Sequence, residues 1–377
     1  MAGIYIHIPF CRKACHYCDF HFSTSLKTKE NVLEGIRIEA LQRRKELATS
    51  TIQTIYFGGG TPSILESEEL GEILRVIHEN YSVSSDAEIT LEANPEDISS
   101  IKVKEWKELG INRLSIGIQS FDEEILSWMN RSHNADQALS AVKLAKESGI
   151  ENVSIDLIYG VPHRNSEDWK NEILTAITLN TDHISAYCLT IEPDTVFGKK
   201  ASKGEILSSP NSASSLEFLE LVTVLSEHNI ELYEVSNFSK LGCESKHNSN
   251  YWNGAEYIGL GPGAHSYGPG RRSWNISNNV LYAKGVQNNT PVSESETLST
   301  IDEYNEYIMT NLRRVSGLNL EVLRQKFNVD LVDVFSETIN QYQSSGNLVV
   351  LPNIVKLSIK GFLLADRIAS DLFLTHD

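Results

Sequence analysis

Apolar positions along this chain fall into two alternating periods. Short β-rich runs occur at Ile4–Ile8, Ile52–Phe57, Glu88–Glu92, Leu114–Ile118, Val153–Ile158, Ile184–Leu189 and Glu231–Val235. Helix-forming stretches separate them at Asn31–Leu47, Glu66–Glu79, Ile101–Leu109, Ala135–Ser148, Ser166–Leu179 and Ser214–Asn229. Gly110 and Gly149 stand where two of these helices should stop. Short apolar strands spaced by helices predict a parallel sheet covered by helices. About six such units precede residue 200, so we expect an α/β fold built on a curved, partial (β/α)6 TIM-like barrel.

The texture changes after residue 235. Residues 236–300 are rich in Gly, Asn, Tyr and Trp and read as a loop-heavy connecting segment on the sheet edge. Helical pattern returns at Tyr304–Arg314, Leu320–Phe327 and Leu331–Ser344. Two short strands, Leu348–Leu351 and Val355–Ser358, and a helix near Gly361–Phe373 follow. This predicts a barrel domain over 1–235, a connection over 236–300, and a small α+β, winged-helix-like module over 301–377.

Composition adds exclusions. With 33 basic against 50 acidic residues the formal charge is −17, which argues against nucleic-acid binding through either part. No apolar run is long enough to span a membrane. The chain opens on a strand-like alternation with no basic, apolar leader, so the expected location is the cytoplasm.

Five cysteines are present, and Cys11, Cys15 and Cys18 crowd into eight residues directly after the first strand. An odd count outside a secreted chain is not a disulfide framework. Three soft ligands on one loop suit three irons of a four-iron cubane and leave its fourth corner open. Zinc is the alternative, with His16 or His21 as a fourth ligand. Cys188 and Cys243, far away in sequence, read as buried small apolar residues. Gly58, Gly59 and Gly60 end the second strand and lack the Lys-Ser/Thr ending of a phosphate loop. Other distinctive polar residues (Glu92, Gln119, Asp156) also follow strands, which would gather them at the C-terminal edge of a barrel.

The C-x3-C-x2-C spacing, with Tyr5-Ile-His-Ile-Pro-Phe before it and Asp19-Phe20 after it, resembles the radical S-adenosylmethionine superfamily. Tyr56-Phe-Gly-Gly-Gly-Thr-Pro62, Glu92-Ala-Asn-Pro95, Gly117-Ile-Gln-Ser-Phe121, Asn130-Arg-Ser-His133 and Asp156-Leu-Ile-Tyr-Gly-Val-Pro162 extend the likeness over most of the first 200 residues. They resemble the branch of oxygen-independent coproporphyrinogen III oxidase. The resemblance implies a [4Fe-4S] cluster on Cys11, Cys15 and Cys18, with S-adenosylmethionine on the fourth iron. It also implies cofactor contacts from Gly58, Gly59, Gly60, Thr61, Glu92, Gln119, Arg131 and Asp156, with Tyr5 and Phe20 shaping the pocket. Carboxylates suit the cofactor's amino group and ribose hydroxyls, and Arg131 suits its carboxylate. The implied chemistry is one-electron cleavage of the sulfonium, fed by a low-potential donor such as flavodoxin or ferredoxin.

Two departures from the oxidase pattern point to its haem chaperone subgroup. Phe20 stands where the oxidases carry a further cysteine, and only ten residues precede Cys11. The subgroup's histidine–asparagine and tyrosine–tryptophan pairs appear here as His247-Asn248-Ser-Asn-Tyr251-Trp252, a candidate haem site. The resemblance then implies a haem-accepting apoprotein partner, respiratory in kind, with transient contact to membrane proteins. A radical enzyme acting on a porphyrinogen or another small molecule is the alternative.

Overall fold

The computed structural model describes residues 2–47, 50–162, 164–207 and 209–375. Six strands, β1 (Ala2–Ile8), β2 (Ile52–Gly59), β3 (Val83–Ala93), β4 (Arg113–Gln119), β5 (Asn152–Tyr159) and β6 (His183–Cys188), lie side by side in chain order, all parallel. Helices α1 (Lys29–Arg43), α2 (Ser67–Asn80), α3 (Ser100–Glu108), α4 (Glu123–Trp128), α5 (Ala135–Glu147) and α6 (Ser166–Thr178) connect them. Their starts are encoded locally. Asn134 and Gln137 form a capping box on α5, and the Asp122 and Asn165 side chains cap α4 and α6. Trp106 of α3 and Trp169 of α6 are fully buried in this layer. Truncating either to alanine would cost about 3–5 kcal/mol.

After α7 (Val196–Ala201) and α8 (Asn211–Ser226), a hairpin of β7 (Glu231–Glu234) and β8 (Asn237–Ser239) pairs antiparallel with β6. On the opposite flank β9 (Glu256–Leu260) runs parallel to β1, and β10 (His265–Gly268), β11 (Arg271–Asn275) and β12 (Ser293–Thr297) continue antiparallel. The resulting sheet has twelve strands. Residues 236–300 therefore supply five strands, with α9 (Lys246–Trp252) and α10 (Asn279–Gln287), where a loop-heavy segment was expected. Its glycines misled because they mark close strand approach. A side chain on Gly259 would strike the His265 carbonyl, and one on Gly261 would sit 2.5 Å from the His7 carbonyl. Buried Glu39 of α1 clamps this flank by accepting from Gly261 N (2.9 Å), Asn275 Nδ2 (2.8 Å) and Tyr282 Oη (2.6 Å).

The C-terminal part holds α11 (Thr300–Leu312), β13 (Leu318–Asn319), α12 (Leu320–Phe327), α13 (Leu331–Val334), α14 (Ser336–Ser344), β14 (Leu348–Leu351), β15 (Ile354–Leu357), α15 (Ile359–Phe362) and α16 (Ala365–Ser370). β15 lies between β13 and β14 in a small antiparallel sheet. The expected helices over Leu331–Ser344 and Gly361–Phe373 are each split in two, because Phe335 and Leu364 leave helical backbone angles.

The barrel lumen is polar at every level. Strand pleating turns alternate residues inward, and the register stacks them in layers. Gly3, Thr54 and Glu88 lie lowest; Tyr5, Tyr56, Thr90, Arg113 and Asn152 come next. Glu92, Ser115, Ser154 and His183 form the layer above, followed by Gly117, Asp156 and Ser185. Parallel barrels of this kind are normally filled by branched apolar residues.

Candidate cofactor pocket

At the C-terminal ends of these strands a pocket of about 490 Å³ opens. Cys11, Cys15, Cys18, Phe20, Gly59, Gly60, Thr61, Glu92, Gln119, Arg131 and Asp156 all line it. The topology thus gathers eleven of the thirteen residues expected around the cluster and cofactor, from positions 145 residues apart at the extremes. Tyr5 and Gly58 are absent from the lining. They sit beneath it, the Tyr5 ring packed on Tyr56 and within 3.0 Å of where a Gly58 side chain would begin.

The cysteine loop is held from both ends. Cys11 N donates to Ser23 O (3.1 Å), and Asn130 Nδ2 donates to Ala14 O (2.7 Å). His16 N donates to Met129 O (3.0 Å), and its Nδ1 donates to Trp128 O (2.9 Å). The segment 128–131 is therefore the loop's anchor, and Asn130 reaches it through a left-handed φ of 60°. Of the two histidines weighed as a fourth zinc ligand, His16 has its Nδ1 on Trp128 O and His21 its Nε2 on Asn279 Oδ1 at 2.8 Å, which leaves one ring nitrogen on each. Among the described residues no three His, Cys, Asp or Glu side chains converge on one ion. Three thiols spread along a pocket wall suit separate iron corners of a cubane instead.

Burial pushes the Cys11 thiol up to about 11 and the Cys18 thiol to about 12, so loading with iron must expel their protons. Arg131 supplies a cation beside this wall. Its guanidinium lies 3.3 Å from Cys15 Sγ and donates to Asn94 Oδ1 (2.8 Å) and Gly117 O (2.6 Å). The donor set thus fits a three-thiolate cluster, and a guanidinium beside it fits an anionic ligand group.

Across the floor, Glu92 accepts from Tyr56 Oη (2.9 Å) and Gly59 N (3.1 Å), and Asp156 accepts from Ser115 Oγ (3.3 Å). Burial, followed by the nearby Asp156 charge, raises Glu92 to about 7. Burial raises Asp156 to about 6. Gln119 ends β4 at φ 75°, where the register with β5 slips by one residue. A non-glycine residue held left-handed at a bulge is strained backbone placed at a binding wall.

The glycines have a second reason to be glycine. A Cβ on Gly59, whose φ is 106°, would lie 2.5 Å from the His7 ring. One on Gly60 would lie 2.7 Å from the Phe10 carbonyl. The strand end is packed against the cysteine strand as tightly as it is opened to a ligand.

The candidate haem residues lie at the other end of the barrel. α9 plugs the lumen's lower mouth, its first turn capped by the Glu88 carboxylate accepting from Lys246 N (3.0 Å) and His247 N (2.9 Å). Both His247 ring nitrogens are engaged, Nδ1 with Thr54 Oγ1 (2.7 Å) and Nε2 with Tyr251 Oη (2.9 Å). Burial drives it down to about 3, and its ring stacks on Tyr56. His247 and Tyr251 are thus packed into the lower mouth with both imidazole nitrogens engaged, while Asn248 and Trp252 are half-buried on the same helix.

Cys188 corrects the sequence reading. It is exposed and lines the pocket at the end of β6, beside Tyr187 and Leu189. Like Glu92 in β3 and Asp156 in β5, Cys188 stands toward the C-terminal end of a parallel strand, a signal the sequence offered equally for it. Asn94, Tyr17 and Ser115 also line the pocket, and only their neighbours drew attention in the sequence.

Known proteins match this arrangement. The radical SAM superfamily model matches residues 5–175, and the HemN C-terminal domain model matches residues 298–364. The heme chaperone HemW of Bacillus subtilis (strain 168) is 32% identical over 371 residues, 98% of each chain. That of Lactococcus lactis subsp. lactis is 33% identical over 366 residues, 97% of this chain and 95% of its own. The solved coproporphyrinogen III oxidase HemN from Escherichia coli shares the fold at a TM-score of 0.84, with 22% identity, over 99% of this chain and 90% of that one. Together with the three-cysteine pocket on a parallel six-strand arc, these matches make the chain a radical SAM protein of the family of heme chaperone HemW, whose members hold a [4Fe-4S] cluster and S-adenosylmethionine.

Proposed function

We propose that this protein is a haem chaperone that carries a [4Fe-4S] cluster on Cys11, Cys15 and Cys18 with S-adenosylmethionine at the fourth iron, and passes haem to apoproteins. The observation that carries this reading is the near-complete alignment with proteins named heme chaperone HemW. The pocket supports it. Bound there, the cluster and cofactor supply low-potential electron transfer into a sulfonium. Arg131 would meet the cofactor carboxylate, Glu92 and Asp156 its ammonium and ribose hydroxyls, and the strand end at Gly59–Thr61 its methionine backbone.

For haem, the mouth of the same pocket offers aromatic surface in Phe20, 68% exposed, Phe22 and Tyr187, 44% exposed. Flavodoxin or ferredoxin is the electron donor this chemistry calls for, and the cytoplasm its location. Among the described residues no helix is long and apolar enough to cross a membrane.

The test is anaerobic reconstitution followed by haem titration and a coproporphyrinogen III assay on one sample. Stoichiometric haem binding without turnover is the expected result. Multiple-turnover formation of protoporphyrinogen IX would replace the chaperone reading with an oxidase.

A further inference from the structure

Arg113 is 1% exposed, yet its Nε has no hydrogen-bond partner and its guanidinium makes no direct ion pair among the described residues. A buried arginine without a direct partner calls for an explanation, since charges inside proteins are otherwise paired. Its position supplies one. In the lumen it stands opposite Thr90, whose hydroxyl is buried and also unpartnered. One layer up, Glu92 pairs in register with Ser115, and Asp156 lies opposite Gly117 in the layer above that. Side chains on one strand face repeat at about 6.6 Å, within the span of an arginine. Two unpartnered donors beneath two carboxylates form a polar cluster of the kind that ordered water satisfies.

Below Arg113 the Glu88 carboxylate is taken up by Lys246 N and His247 N, and the tyrosines and histidines around the lumen are neutral near pH 7. Glu92 is faced by the phenols of Tyr5, Tyr56 and Tyr251, held protonated by burial, and from the pocket side by Tyr187, which is 44% exposed and whose phenol is also raised above its ordinary value. Around Arg113, burial keeps His183 and His247 uncharged, and Tyr233 is likewise a neutral phenol. Arg131 stands on the pocket side of Asp156 but is occupied by Cys15, Asn94 and Gly117. Arg113 is the cation on the lumen side of both carboxylates.

We propose that Arg113 is a positioning residue for the cofactor: from inside the barrel, through intervening water, it favours the charged forms of Glu92 and Asp156 against burial so that both act as acceptors for the ammonium and ribose hydroxyls of S-adenosylmethionine. This rests on the cofactor reading above. It also gives the lumen's polarity a purpose, because apolar packing there would leave two adjacent carboxylates competing for one proton.

The experiment measures equilibrium dialysis of S-adenosylmethionine against cluster-loaded protein between about pH 5.5 and 8.5, a range spanning both carboxylates. Wild type, Arg113→Met, Arg113→Gln and Arg113→Lys are compared, with iron content and melting temperature recorded for each. Wild-type affinity should fall as pH drops through about 7. In the Met and Gln variants the fall should begin about one pH unit higher, with affinity approaching wild type at the alkaline end. The Lys variant should restore the wild-type profile. Neutral variants that lose affinity equally at every pH, or whose profile superimposes on wild type, overturn the proposal while leaving the cofactor reading intact. A wild type that binds no S-adenosylmethionine at any pH overturns both. The neutral pair guards against one replacement failing to fold.

Discussion

Replacing Glu92 by Gln should stabilise the cofactor-free protein at alkaline pH while removing its affinity for S-adenosylmethionine. In the folded chain burial lifts this carboxyl from 4.5 to about 7, so the native state holds its proton more tightly than the unfolded chain does. Between those values, raising the pH draws the proton off the unfolded state first, and native stability falls. Above the folded value the full cost has been incurred. A displacement of about 2.5 units corresponds to roughly 3 kcal/mol at pH 8 and to nothing near pH 4.

Glutamine avoids that cost and can keep both contacts, its oxygen accepting from Gly59 N and its amide donating to the Tyr56 phenol oxygen. Allowing for imperfect fit, the net gain at pH 8 is about 1–3 kcal/mol, a rise of a few degrees in melting temperature. The assay is thermal unfolding of cluster-free wild type and variant from pH 5 to 8, with ligand binding measured separately on reconstituted protein. The two curves should converge toward pH 5 and separate as pH rises. A variant that melts at or below wild type at pH 8, or a gap independent of pH, would refute the view that this carboxylate is held at the expense of stability.

Alanine at Cys11, Cys15 or Cys18 should abolish the reconstituted cluster, read as iron and sulfide per chain, whereas Cys188→Ser and Cys243→Ser should keep full iron. Gly59→Ala should destabilise the fold by about 2 kcal/mol or more in chemical denaturation, since it combines a positive φ with a clash against His7. Adding His7→Ala should recover the steric part only. His247→Gln should lower the melting temperature by breaking the Thr54 and Tyr251 bonds, yet leave the absorption spectrum of bound haem unchanged. A changed spectrum would return His247 to the iron. Glu39→Ala should cost about 2–4 kcal/mol, measured in urea, because it strands the donors of Gly261, Asn275 and Tyr282.

The alternation of short apolar runs with helical stretches is a local property, and it was enough to read six parallel strands and all their connecting helices but α4 to within five residues. The cysteine spacing pointed to the cluster, because three thiols within eight residues can be brought together by a single turning loop. Glu92, Gln119 and Asp156 read as following strands; they lie toward the C-terminal ends of β3, β4 and β5, and a parallel sheet gathers such positions at one edge of the pocket. Local pattern could not distinguish a glycine that turns from one that lets two strands touch. Residues 236–300 therefore read as loop, although their pairing with β1 is decided by backbone contacts to residues some 250 positions away. Nor could it place His247. Chemistry alone made the imidazole a candidate haem ligand, and only packing against Thr54, Tyr56 and Tyr251 places it, with both nitrogens hydrogen-bonded, at the far end of the barrel. The same holds for Arg113, an ordinary charged residue opening a strand until the register turns it into a lumen with no direct partner. What lies near along the chain was written in the sequence; which faces meet across a curved sheet was decided by the tertiary structure, because inward orientation and the loss of water at a given side chain depend on every strand being in place.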